Sequence, residues 1–199
     1  MKIFINCPFD TSYLTLLRYM IFTLIYIDQE PYLALIDGDC ATKRIDKIEQ
    51  IIKESDFSIH DLSRIKSTKV KEYARLNMPF ELGIDYGMGL LQRKGKKYLI
   101  LEDEKYSYHK GLSDYSGFDI YAHHNDPDTL VKILRDWFVN NRITGISTPG
   151  ANKIYLDYFD CWAYIYNSLI LKGYSAKQTD DIPINEYMDL VKEWKSSII

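Results

Sequence analysis

Apolar positions along the first 140 residues switch between two spacings. KIFINC (2–7) is a short apolar run ended by Pro8, which cannot donate to a sheet ladder, so it predicts a strand. Residues 12–27 are apolar nearly all round, as expected of a helix buried against a sheet. YLALI (32–36) predicts a second strand, stopped by the turn signal Asp37-Gly38-Asp39. RIDKIEQIIKES (44–55) carries Ile at 45, 48, 51 and 52, the spacing of an amphipathic helix.

FSIHDL (57–62) predicts a third strand, followed by a polar loop over 64–76 and a helix over 79–92. KKYLILE (96–102) and FDIYAH (118–123) predict a fourth and a fifth strand. Asp126-Pro127 then opens a helix with proline near N1 and an acidic first turn. Strands alternating with helices imply βαβ units and right-handed crossovers. The expected fold is α/β, a doubly wound, mostly parallel five-stranded sheet over residues 1–140.

NNRITGISTPGAN (140–152) breaks the pattern, and two helices at 153–172 and 184–197 form a C-terminal helical extension, 141–199. The first, IYLDYFDCWAYIYNSLIL, is aromatic on most sides and must be covered by its own domain or by another chain. Assembly is the preferred reading: a homo-oligomer or a partner held through these helices.

Net charge is −3 with lysine and arginine scattered, so no electrostatic footprint for nucleic acid is present. Cys7, Cys40 and Cys161 fit neither a disulfide framework nor a zinc pattern, which points to a reducing cytoplasm. YLTLLRYMIFTLIYI is short of the ~20 residues a bilayer span needs and reads as a buried helix; no membrane partner is expected. The apolar run at the N-terminus is too short for a signal segment. His109, His123 and His124 lack ligand spacing and read as solvent-facing loop residues, so no metal site is expected.

Open α/β sheets bind ligands beyond the carboxyl ends of their strands. Those positions hold Asn6, Cys7, Pro8, Phe9 and Asp10 after the first strand, and Asp37, with Arg44 a turn into the next helix, after the second. His60, Asp61, Ser63 and Arg64 follow the third, and then comes NMPFELGIDYG. Pro79 at N1 would place Glu81 at N3, where it is either the partner of a capping box or a carboxylate available for chemistry. Gly83 and Gly87 share one face and would permit close packing or close approach of a ligand. Glu81 and Asp85, four apart, either raise one another's pKa or are both solvated. No Walker loop, GxGxxG, HExxH or GxSxG occurs.

CPF (7–9) after the first strand, a terminal Asp on the third, and ELG (81–83) on a helix start, in that order, resemble the nucleoside 2-deoxyribosyltransferase-like group. That group shares a flavodoxin-like fold with Toll/interleukin-1 receptor (TIR) domains and their bacterial TIR-like relatives. The resemblance covers residues 1–140 and implies that Glu81 is the catalytic carboxylate. The transferases carry Asp-x-Gly-Thr shortly before it; this chain has Arg75-Leu76-Asn77-Met78, which favours a TIR-like enzyme taking NAD as substrate, with no separate cofactor, in bacterial antiphage defence. The alternatives are a nucleoside 2-deoxyribosyltransferase or nucleotide N-hydrolase, and a non-catalytic nucleotide-binding or interaction module.

In the enzymatic readings Asp61 and Asn77 would help bind sugar or place water, and His60 would protonate a leaving base unless its ring is bonded to backbone. Arg44 or Arg64 would pair with phosphate unless they are ordinary surface arginines. Phe9 and Tyr86 would stack on a base unless they are packed aromatics.

Overall fold

The computed structural model describes residues 1–34, 41–65, 76–92, 95–113, 117–145 and 147–198. In chain order these form β1 (Lys2–Asn6), α1 (Leu14–Tyr26), β2 (Glu30–Tyr32), α2 (Arg44–Glu54), β3 (Phe57–Asp61), α3 (Asn77–Gln92) and β4 (Lys97–Glu102). A 3-10 turn at Ser107–Lys110 precedes β5 (Ile120–Ala122), α4 (Pro127–Asn140), α5 (Ala151–Leu171), α6 (Ala176–Asp180) and α7 (Ile184–Ile198). The five strands lie in the order β2-β1-β3-β4-β5, every pair parallel, flanked by helices as in flavodoxin-like folds.

Packing divides the chain into two compact units, residues 1–17 with 30–126 and residues 18–29 with 127–199. In the first unit Ile3, Phe4 and Ile5 of β1 are fully buried, which explains its unbroken apolar run. Phe4 packs with Ile48, Ile51 and Ile52 of α2, and Ile84 and Met88 of α3 join them. On the other side of α3, Met78 and Leu82 pack with Leu62, Ile100 and Tyr108.

Most elements end within two residues of the expected bounds, and two of the differences bear on the site. The second strand is Glu30–Tyr32, because it pairs with the first half of β1, Lys2 opposite Glu30 and Phe4 opposite Tyr32. Pro31 is tolerated there because β2 is an edge strand. Asp37 and the turn around it lie outside the described residues. Helix α3 starts at Asn77, two residues early, and the Phe80 amide donates to the Leu76 carbonyl at 3.1 Å. Pro79 is thus the third helical residue and Glu81 the fifth, which removes the capping-box reading of Glu81.

In the second unit Tyr158 of α5 stacks on Tyr19 at 3.6 Å between ring centroids and meets Phe22 edge-on at 5.4 Å. Trp194 of α7 leans on Phe22, and the Arg18 guanidinium lies 4.7 Å from the Trp162 ring. The buried side of α5 (Ile154, Tyr158, Cys161, Ile165, Leu169) is therefore covered by the chain's own helices. A second row, Leu156, Phe159, Ala163, Tyr166 and Ile170, is exposed. Helix α6 was not anticipated, although Ser175 and Gln178 form a complete capping box at its start. No helix among the described residues is long and apolar enough to cross a membrane.

Candidate active site

Side chains alternate along a strand, and that alternation sorts the polar residues of β1 and β3 into two separate groups. Asn6 and His60 are register partners on the face carrying α3, whereas Asp61 points to the opposite face. Neighbours in sequence, His60 and Asp61 share no partner.

On the α3 side, Asn6 Nδ2 donates to the Met78 carbonyl at 2.8 Å and lies 3.0 Å from His60 Nδ1. His60 Nε2 lies 3.1 Å from Asp85 Oδ2, to which Ser58 Oγ also donates at 2.5 Å. Lys96 Nζ closes the group, 2.8 Å from Asp85 Oδ1 and 3.1 Å from the Ile52 carbonyl. Burial raises the pKa of Asp85, but the bonds from His60 and the charge of Lys96 outweigh it and hold the carboxyl below its ordinary value. Burial lowers the pKa of His60 and keeps the ring neutral. With both ring nitrogens engaged and no exposed surface, His60 cannot reach a leaving base. Its partners are side chains, not the backbone groups expected. Asp85 is likewise neither solvated nor in conflict with Glu81; it is buried and paired.

On the opposite face Asp61 is saturated. It accepts from the Tyr13 hydroxyl, the Ser63 hydroxyl, the Ser63 amide at 2.8 Å and His123 Nε2 at 2.9 Å. Those bonds overcome burial and keep Asp61 ionised. His123 is therefore a fully buried structural residue, a correction to its reading as a loop histidine facing solvent. Ser63, His123 and Asp61 resemble a hydrolytic triad in composition only. Serine and aspartate both meet Nε2 (Ser63 Oγ at 3.0 Å), while Nδ1 accepts from the Asn125 amide. A working triad needs them on opposite ring nitrogens.

Glu81 differs from both groups. It is 5 % exposed, and among the described residues its one charged neighbour is Arg44, whose Nη2 lies 4.0 Å from Oε1. No described side chain donates a hydrogen bond to it, and burial, only partly offset by Arg44, raises its pKa to about 7. Arg44 stands half exposed at the start of α2. Helix α3 packs on β1 and β3, so Glu81 is carried over the point where strand order reverses. Asn77, exposed, lies one turn earlier on the same helix face.

The turn after β1 bounds this place. Cys7 is fully buried, and burial together with the negative charges of Asp61, Glu81 and Asp10 pushes its thiol well up, so it is no nucleophile. Pro8 is buried and Phe9 half-buried. Arg64 is engaged with Asp10 at 3.4 Å and with Ser12 Oγ at 3.1 Å. Tyr86 packs edge-on against Phe118, at 5.6 Å, and is not free to stack on a base near Glu81. Gly83 is half-buried in α3; a Cβ added at Gly87 would meet nothing within 4 Å, whereas one at Gly89 would run into Tyr98. Lys96 was missed: nothing at the head of a strand signals a buried partner for Asp85.

Among the described residues, two cavities lie away from Glu81. The larger, about 650 Å³, is in the second unit beside Tyr26, Lys153, Asp157 and Trp194. The smaller, about 360 Å³, lies beside Tyr32, Thr42 and Lys47. Neither holds Glu81; in the larger, Asp28 and Asp157 are paired with Lys195 and Lys153, whereas Glu81 is buried without a hydrogen-bond donor from the described residues. Among the described residues no group of three or more His, Cys, Asp or Glu could hold a metal ion. The chain matches no family model and no curated protein.

Proposed function

We propose that the chain is an enzyme that cleaves the N-glycosidic bond between ribose and nicotinamide in NAD or a closely related nucleotide. The observation that carries this reading is Glu81, a buried carboxylate left without a hydrogen-bond donor from the described residues, at the strand-order switch and facing one arginine. Breaking the C1′–N bond passes through an oxocarbenium-like state, which a nearby carboxylate stabilises or traps as an ester. The bonding pair leaves with the ring nitrogen and neutralises the pyridinium. Water, or a nucleophile of the ADP-ribosyl group itself, then adds at C1′ with loss of a proton.

The sequestration of His60 favours nicotinamide over an ordinary base. A pyridinium departs neutral without being protonated, whereas a purine or pyrimidine generally needs an acid, and His60 cannot supply one. Arg44 suits a phosphate of the same substrate. The setting in bacterial antiphage signalling rests on the TIR-like resemblance. Self-assembly through α5 belongs to the same reading: its exposed row at 156, 159, 163, 166 and 170 has the 3-4 spacing of a helix-pairing seam.

Purified protein is incubated with NAD, and separately with deoxynucleosides plus a free base, beside Glu81→Gln. Nicotinamide release that disappears in the variant supports the proposal. Base exchange instead selects the deoxyribosyltransferase reading, and nucleotide binding without turnover selects the non-catalytic module. Equal rates in wild type and variant remove Glu81 from the chemistry.

A further inference from the structure

No side chain among the described residues holds the Glu81 carboxylate by a hydrogen bond, so its position is set by the backbone of α3. That helix is tied to the sheet on both sides of Glu81. Before it, the Met78 carbonyl accepts from Asn6 of β1; after it, Asp85 meets His60 and Ser58 of β3 and Lys96. Met78 and Asp85 are three residues before and four residues after Glu81, so all three lie along one side of the helix. The two ties are joined through the register pair Asn6 and His60.

The direction of each hydrogen bond follows from the amide. Asn6 Nδ2 carries two protons and faces two acceptors, the Met78 carbonyl and His60 Nδ1. The ring proton of His60 therefore sits on Nε2 and is donated to Asp85. Each contact in the chain Met78–Asn6–His60–Asp85–Lys96 thus sets a donor against an acceptor.

We propose that His60 is a positioning residue: it joins Asn6 to Asp85 in one brace that fixes where α3 presents Glu81 to the sugar, and it moves no proton. The role in turnover rests on the reading of Glu81 given above. Misplacing a reacting group by about 1 Å costs on the order of 10²-fold in rate, so a brace on both sides of the carboxylate has a direct consequence for catalysis.

Glutamine is the discriminating replacement. Its amide nitrogen can donate to Asp85 while its amide oxygen accepts from Asn6, and it carries no titrating proton. His60→Gln should keep nicotinamide release within about threefold of wild type, whereas His60→Leu should lower kcat about 10²-fold with KM little changed. A second readout needs no turnover: the Glu81 carboxyl titration, followed by carbon NMR of labelled glutamate and assigned with Glu81→Gln. It should stay near wild type in His60→Gln and move toward that of a solvated carboxyl in His60→Leu. Asn6→Ala breaks the brace from its other end, should move the titration in the same direction, and decides the matter where His60→Leu does not fold. Glu102→Gln is the control, a buried carboxylate whose partners are the amides of Tyr106, Ser107 and Tyr108. It should lower stability without moving the titration.

Equal loss of activity in His60→Gln and His60→Leu would show that His60 transfers a proton and overturn the proposal. So would a Glu81 titration that is unmoved by breaking the brace, or moved equally by Glu102→Gln. If the titration follows the brace while no variant, and not wild type, releases nicotinamide, the brace stands and the assigned reaction fails.

Discussion

Arg44 Nη2 stands 4.0 Å from Glu81 Oε1, close enough to favour the ionised carboxylate and too far for a hydrogen bond. Burial lifts the Glu81 pKa and Arg44 pulls it partway back, leaving it at about 7. A group that stabilises positive charge at C1′ works as the anion, so kcat/KM for NAD should rise with pH and level off above an ascending limb near 7. Arg44→Met removes the lowering influence and should move the limb to higher pH. A displacement of about one unit lowers the rate below the limb about tenfold. A limb that stays in place in Arg44→Met would disconnect the two residues.

The same carboxyl should oppose folding at neutral pH. Its folded pKa of about 7 lies above the ordinary value of 4.5, so between those values the folded chain holds a proton that the unfolded chain has released. Stability from this group is present below pH 4.5 and is lost as pH rises through 7, by up to about 3 kcal/mol. His60 contributes with the opposite slope, because its lowered pKa costs stability as pH falls below 6.5. Subtracting Glu81→Gln from wild type cancels the His60 part. The variant should match wild type in urea melts at pH 4.5 and exceed it by about 1–3 kcal/mol at pH 8. A difference independent of pH would place the ionisation elsewhere.

Asp61 and Asn77 were both expected as helpers near the sugar, and their surroundings now separate them. Asp61 has no free acceptor capacity, since two hydroxyls, an amide and an imidazole already occupy it. Asp61→Ala strands all four donors in the interior and should cost about 3–5 kcal/mol in denaturant melts. Asn77 is exposed one turn before Glu81, so Asn77→Ala should change stability by less than about 0.5 kcal/mol. It should instead lower NAD turnover. The opposite assignment of the two effects would return Asp61 to the site.

Strand and helix order was legible because each buried element carries its own period, and Ile48, Ile51 and Ile52 mark the inner face of α2 as their spacing predicted. The place of Glu81 was also legible, on the helix that follows β3. The function of its polar neighbours was not. Alternation put His60 and Asp61 on opposite faces, and whether a buried polar residue meets a ligand or another side chain depends on partners far away in sequence. His123 reaches Asp61 across 62 positions, and Met78 reaches Asn6 across 72. Short-range spacing carries no trace of such pairs. The capping reading of Glu81 failed for a local reason: proline is as tolerable at the third helical position as at the first, since neither amide has an intrahelical acceptor.

The two glycines at 87 and 89 make the sharpest local test of how α3 is seated. A Cβ on Gly89 would fall well inside contact distance of the Tyr98 hydroxyl, which is itself anchored on the Asp85 carbonyl at 3.2 Å. Tyr98 cannot yield without giving up that bond, or α3 must lift from β4 and carry Asp85 with it. Gly89→Ala should therefore destabilise by about 1–3 kcal/mol despite the better helix propensity of alanine. Gly87 has nothing within 4 Å of the same added atom, so Gly87→Ala should be neutral or stabilise by up to about 1 kcal/mol. Gly89→Ala with Tyr98→Phe separates the causes. Removing the hydroxyl removes the clash, so the double variant should be more stable than Gly89→Ala alone. If the loss persists without the hydroxyl, the seat of α3 is set by something other than Tyr98.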